Sequence, residues 1–320
     1  MRVVTLLSLL LLVAGCPRPF TPAVGRLREV TVVSNDWGAV EDAVREALQQ
    51  QIRTPQPEPE FLIRTMTFDQ FEVFSGFRTL LIIGTTQDTI IRKMLGERLD
   101  SLPGGESGMF RVPNVWADHQ EVVILVAREP GGLEPAVRAY AERLRSAVRE
   151  AVLKHIARAA YGQGRLKRAE DSLLDRYAFT LDIPKGWYLK QEHADSGFVY
   201  LFGHHPDRGL FVYWQEGERE LVPESIPVLR DRLTRMYYEG DIIEPDYVEL
   251  GPIQFLGRPA VRLQGVWQNE ESAIGGPFVT YALNHMGRFF VVDGLVFDPG
   301  RKKLDQLFQV EAMVSTFTPQ

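Results

Sequence analysis

Between residues 37 and 52, apolar side chains fall four apart, at Val40, Val44, Leu48 and Ile52. That is the spacing of one helix face. Ahead of them, the β-branched run at 28–34 (REVTVVS) predicts a strand, with Asn35-Asp36 suited to the helix cap. Pro55, Pro57 and Pro59 end the helix. Strands follow at 61–67 and 79–84, and in the second Leu80, Leu81, Ile82 and Ile83 run without a polar break. An unbroken apolar strand is one buried on both faces. A helix at 87–99 and a second buried strand at 122–127 complete a β-α-β-β-α-β order, which predicts a ferredoxin-like α/β sandwich.

The longest periodic stretch comes next. Leu133, Val137, Tyr140, Leu144, Val148, Val152 and Ile156 step by three or four and predict one helix over 133–160. Gly162 and Gly164 break it, and a shorter helix is expected to run to about residue 177. Beyond that point the pattern turns to short strands, at 178–183, 199–203 and 210–214. A helix at 224–238 carries Ile226, Leu229, Leu233 and Tyr237 on one face. Strands at 260–267, 278–283 and 288–297 and a closing helix at 302–317 finish the chain. Strands around a helix, with a terminal helix packing back, predict an antiparallel sheet covered by helices. The fold class expected is therefore α+β, with two α/β sandwich domains at 27–175 and 176–320. The order of the second half is similar to the α/β/α fold of the photosystem extrinsic PsbP-type proteins.

The first sixteen residues follow a different logic. Arg2 precedes an apolar run of about eleven residues, and Val13-Ala14-Gly15-Cys16 closes it. The run is shorter than the ~20 residues a spanning helix needs. It reads as a signal peptide over 1–15, and its last residues resemble the lipobox of bacterial lipoproteins, in which the cysteine is acylated and becomes the N-terminus. Cys16 is the chain's one cysteine. Stable anchoring takes more than one acyl chain, which a diacylglyceryl cysteine with a third acyl group (a palmitate, for example) satisfies. Pro17, Pro19 and Pro22 make residues 16–26 a semi-rigid tether. The expected location is the cell envelope, anchored through lipid on Cys16 and facing the periplasm or the exterior.

Charge and composition narrow the remaining classes. With 42 acidic and 36 basic side chains the net charge is −6, which leaves no electrostatic footprint for nucleic acid. Basic side chains do outnumber Glu142 and Glu150 between Arg138 and Arg168. That run is either a face for anionic headgroups or the solvated back of a helix, and the solvated back is the plainer expectation. A single cysteine excludes an internal disulfide and a CxxC site.

Candidate chemistry is sparse. GxSxG, HExxH, Walker A and strand-linked GxGxxG motifs are all absent from the sequence. No catalytic residue, cofactor or metal site is expected. His204-His205 precede Pro206-Asp207 and read as a hairpin turn, since neighbours on a strand point to opposite faces. Asp293 interrupts the apolar run Phe289–Phe297. It is either a buried acid needing partners or, as the favoured expectation, part of a turn or bulge with Gly294. The best candidate binding loop joins two strands and comprises Trp267, Gln268, Asn269, Glu270, Gly275 and Gly276.

Four segments carry a family resemblance: Leu229-Arg230-Asp231-Arg232, Tyr237-Tyr238-Glu239-Gly240, Gly265-Val266-Trp267-Gln268-Asn269 and Gly275-Gly276-Pro277-Phe278. Together they resemble a bacterial lipoprotein family classed only as a domain of unknown function. The likeness covers most of the mature chain, and most sharply residues 226–317. Ala273-Ile274 stand where the family motif has methionine. The resemblance implies a lipobox and a Pro-rich tether, but no activity. The function expected is a non-catalytic binding or scaffold module for another envelope component. The alternatives are a carrier of an apolar ligand and a hydrolase built from scattered residues such as Asp293, Glu270 and His285.

Overall fold

The computed structural model describes residues 21–237, 240–269 and 271–320. The chain forms two large sheets. The first contains β1 (Glu29–Val33), β2 (Leu62–Met66), β3 (Thr79–Thr85), β4 (Ser107–Pro113) and β5 (Glu121–Ala127), in the order β2-β1-β3-β5-β4. β2, β1, β3 and β5 are mutually parallel, and only the edge strand β4 is antiparallel. Every residue of β3 is buried, as its unbroken apolar run requires.

Helices cover both faces of this sheet. α1 (Trp37–Leu48), α4 (Leu133–Ala139) and α5 (Ala141–Ala160) pack on one side, over Val30, Val32, Leu81 and Leu125. α2 (Phe68–Val73) and α3 (Thr89–Leu95) pack on the other, over Leu80, Ile82 and Ile124. The first half is thus a three-layer, largely parallel arrangement rather than the antiparallel, two-layer ferredoxin-like pairing expected. Element order was right, but order does not specify which strands pair: β1 leads to β2 through α1 and β2 to β3 through α2, and all three run in the same direction.

Two helix boundaries also differ. α1 stops at Leu48, and Ile52 joins the core instead from a short hairpin that pairs Gln51–Arg53 with Pro57–Pro59. The helix expected over 133–160 is interrupted at Tyr140 (ψ 4°), whose hydroxyl reaches β4 and donates to the Ser107 carbonyl at 3.4 Å.

After α6 (Lys167–Tyr177), the second sheet is antiparallel throughout. It comprises β6 (Trp187–His193), β7 (Phe198–Gly203), β8 (Asp207–Glu216), β9 (Ile242–Phe255), β10 (Arg258–Asn269), β11 (Ile274–His285) and β12 (Arg288–Phe297), ordered β9-β10-β11-β12-β8-β7-β6. α7 (Ser225–Tyr237) covers one face and α8 (Leu304–Val314) the other. The α+β class with two separate sheets is what the pattern predicts. The strand expected at 178–183 shrinks to Phe179–Thr180, paired with Thr318–Pro319.

One apolar core runs from the first sheet through α1, α4 and α5 to α8 and the second sheet. The 51–59 hairpin helps to join them. Glu58 accepts from the backbone N–H groups of Lys303 (2.7 Å) and Leu304 (3.2 Å), placing a carboxylate at the positive end of α8. Among the described residues no helix is long and apolar enough to cross a membrane.

Candidate functional site

The residues singled out by sequence are placed as follows. Cys16 and Glu270 lie outside the described residues. Trp267 is buried near the end of β10 and packs with α7 in the second core. Its register partner on β11 is Gly276, where a Cβ would lie 1.9 Å from the Val296 carbonyl oxygen. Gly275 is equally constrained, with 2.6 Å to the Trp267 carbonyl. The paired glycines let three strands approach closely. Asn269 is also buried, donating to Asp241 at 2.9 Å and accepting from the Ser272 N–H at 3.0 Å. Gln268, between them, is half-buried.

Asp293 sits in an unbroken β12, so the turn or bulge favoured there is not formed. Its carboxylate is fully buried under α7 and accepts from Arg230 Nε (2.7 Å) and the Thr280 hydroxyl (2.6 Å). The Arg230 guanidinium lies 3.6 Å from the centroid of the Phe278 ring. Both charges are thus spent on each other and on the core. Gly294 follows because Val310 of α8 comes within 3.0 Å of where its Cβ would be. On β11, Thr280 pairs with Asp293 while His285 pairs with Arg288. His285 is therefore about 17 Å farther along the strand at ~3.4 Å per residue, and the two do not share a site. His204 and His205 lie at the hairpin between β7 and β8, with His204 Nδ1 2.9 Å from Asp207. Among the described residues no group of three His, Cys, Asp or Glu is placed to hold a metal ion.

The basic run across α4 and α5 is largely neutralised. Arg138 pairs with Glu46 and Glu134, and Lys154 with Glu121 and Glu150. Arg145 (2.6 Å) and Arg149 both bind Glu60, which is fully buried. Arg149 continues to Glu311 of α8, which also accepts from the Tyr281 hydroxyl (2.7 Å) and from Arg262 (3.3 Å). This centre links the loop that leads into β2, α5, α8 and the second sheet. Burial opposes ionisation of Glu311, yet the Arg149 and Arg262 charges prevail and pull its carboxyl down to about 2. The same burial pushes the Tyr281 hydroxyl upward, with the Glu311 charge adding to it. A cleft of about 220 Å³ opens beside Arg145, Arg149 and Arg262, but Glu142 and Glu249 also line it. All three Arg charges are already met by Glu60 and Glu311, so the centre works as a fastener between the halves.

The remaining candidate lies on the opposite side of the first sheet. α2, α3 and the segment before β5 enclose a groove of about 590 Å³. Phe71, Ile90, Met94, Val115 and Trp116 form its apolar wall, with Glu72, Ser75 and Lys93 as polar points. Local sequence builds it firmly. Thr67 and Gln70 form a reciprocal capping box that starts α2, aiming Phe71 inward. Phe71 meets Trp116 edge to face at 4.9 Å. Gln120, wholly buried, ties the two walls. Its amide donates to the Ser75 (2.6 Å) and Phe77 (2.8 Å) carbonyls and accepts from the Trp116 N–H (3.0 Å). Immediately beside this, Ala23 donates to Asp118 and Val24 to Gly76, both at 2.9 Å, so the chain enters the body along the groove's wall. Sequence reading missed the groove. Its signals are a buried glutamine and aromatics three loops apart, and neither has a periodicity.

Fold and groove together define a two-sheet α+β protein with an apolar recess on its outer helical layer. Residues 166–316 match the family model "Domain of unknown function (DUF4837)", and residues 23–161 match "Domain of unknown function (DUF8532)". The resemblance read at 226–317 falls almost wholly within the first match, and both families are defined only as domains of unknown function. No curated protein matches the chain. Among solved structures it is similar to cyanobacterial PsbP (CyanoP) from Synechocystis sp. PCC 6803, at 13% identity over 45% of this chain and 87% of that one (TM-score 0.32). It is similar also to the Ran-binding protein Mog1p of Saccharomyces cerevisiae, at 12% identity over 44% and 90% (TM-score 0.30). LpqN, involved in cell envelope biogenesis of Mycobacterium tuberculosis, aligns at 15% identity over 44% and 83% (TM-score 0.29). At these scores none of the three likenesses carries a functional argument.

Proposed function

We propose that this chain is a lipid-anchored protein of the cell envelope that acts as a non-catalytic binding module, with the α2–α3 groove as its binding site. The groove itself carries the reading. It is lined mainly by apolar side chains, with Phe71 held on α2 and Trp116 on a loop that Gln120 braces, and a few polar points around them, which is how a recognition site is made. The anchor follows from Cys16, a lone cysteine at the end of a short apolar leader. A groove of about 590 Å³ also suits a second reading, a carrier for an apolar small molecule, because ligand pockets of ~300–1,000 Å³ are usual.

A photo-crosslinking residue at Met94 tests the site in the intact envelope, with one at Met286 in the β11–β12 turn as control. Met94 should capture an envelope component that Met286 does not. Native mass spectrometry of the gently extracted chain separates the two readings, because a carried ligand adds mass that disappears on denaturation. If Met94 captures nothing and the native mass is bare, the groove is not a binding site. Cys16→Ser should leave the chain unacylated and release it from membranes; unchanged fractionation and migration would remove the anchor.

A further inference from the structure

The surface around the groove mouth has an unusual make-up. α2 ends at Val73, which is 86% exposed, and Phe74 beside it is 46% exposed. Val24, also 46% exposed, pairs with Phe77, and the Phe74 ring stands edge-on to Phe77 at 4.9 Å. These three apolar side chains therefore form one ridge, and Glu72 and Ser75 on either side of Val73 and Phe74 line the groove. Isolated exposed apolar residues need no explanation, but a ridge of them beside an apolar recess does.

The chain itself says what the ridge faces. Thr21 lies against Asp118, whose N–H donates to its carbonyl at 2.9 Å, at the foot of this ridge. Four residues lie between Cys16 and Thr21, and even fully extended the five steps from one to the other span only about 17 Å. If Cys16 carries its lipid in a leaflet, this end of the body cannot stand more than that distance from the headgroups. We infer that the Val24–Val73–Phe74 ridge seats on the leaflet that holds Cys16, as a second membrane contact that orients the body with the groove mouth at the bilayer surface. The inference rests on the lipid anchor of the proposed function. Insertion of a few apolar side chains adds to an acyl anchor in the same way that a second signal does. The β11–β12 turn at Met286 belongs to the second sheet and is no part of the ridge, so it serves as the reference position.

The test uses the full acylated chain. Acylation blocks Cys16, so a cysteine introduced at Val73 or Met286, both strongly exposed, is the only reactive thiol. Each variant, labelled with an environment-sensitive fluorophore, is reconstituted into vesicles of phosphatidylethanolamine and phosphatidylglycerol, with and without brominated acyl chains. Intact mass of each preparation first establishes whether Cys16 is acylated; an unacylated chain overturns the anchor and the seating with it. In acylated protein, bromolipid quenching at Val73→Cys should exceed that at Met286→Cys at least twofold. Adding Phe74→Asp should reduce the quenching at position 73 towards the control. Equal quenching at both positions overturns the seating while leaving the anchor intact. Equal quenching in pure vesicles, with a blue shift at position 73 only in native envelope, overturns it in favour of a protein partner.

Discussion

Removing the charge of Glu311 tests the buried centre between the two sheets most directly. Glu311 is almost wholly buried, and the Arg149 and Arg262 charges hold its carboxyl at about 2 against an ordinary 4.5. At ~1.4 kcal/mol per tenfold in proton affinity, that difference favours the ionised folded state by about 3 kcal/mol. The sign follows from the direction. A carboxyl depressed on folding contributes fully above its unfolded value and loses that contribution as pH falls from about 4.5 to about 2. Glu311→Gln keeps the shape and removes the charge, leaving Arg262 without its carboxylate while Arg149 retains Glu60. The expected loss at pH 7 is again about 3 kcal/mol, at the low end for breaking a buried pair. Guanidinium titrations of both proteins at pH 7, 4 and 3 measure it. The gap should be widest at pH 7 and narrow steadily below pH 4.5. A loss under about 1 kcal/mol at pH 7, or a gap that stays constant with pH, would refute the electrostatic account of this centre.

Three further outcomes follow from particular contacts. His155 on α5 is buried, and that burial together with the Arg78 and Arg158 charges pushes it down to about 4. The unfolded chain takes up that proton first, so stability should fall by up to about 3 kcal/mol between pH 6.5 and 4, and His155→Phe should flatten that slope in pH-dependent melts. Asp293→Ala strands the Arg230 charge in the second core and should cost about 3–5 kcal/mol, whereas Arg230→Leu with Asp293→Leu should cost less, measured by denaturant titration. Gly276→Ala drives a methyl into the Val296 carbonyl and should lower stability by about 1–3 kcal/mol, while Gly251→Ala, with open space at its Cβ, should cost no more than about 1 kcal/mol.

The strands most plainly legible in the sequence are those whose side chains meet only core, although the edge strand β2 was read too. Leu80–Ile83 and the apolar run of β12 declare themselves because burial on both faces demands an unbroken apolar stretch. The edge strands β4, β6 and β9 were missed for the converse reason. They are exposed along much of their length, and β9 carries Pro245 and Pro252, which an edge tolerates. Asp293 was weighed as a turn because sequence shows a carboxylate and a glycine in line. It cannot show Arg230, 63 residues earlier, arriving from α7 to neutralise it.

By itself, then, the sequence determined element type wherever periodicity was strong and the α+β class with two sheets. Each of these is a local property, written in spacing or in residue order. The tertiary structure alone decided which strands of the first sheet run parallel, why α5 is basic, and where the groove lies. Those depend on groups brought together from distant parts of the chain: Glu60 and Glu311 on Arg149, Gln120 bridging Ser75 and Trp116. Pairing across such separations is set by packing and by the need to satisfy buried charge, and no single stretch of residues records it.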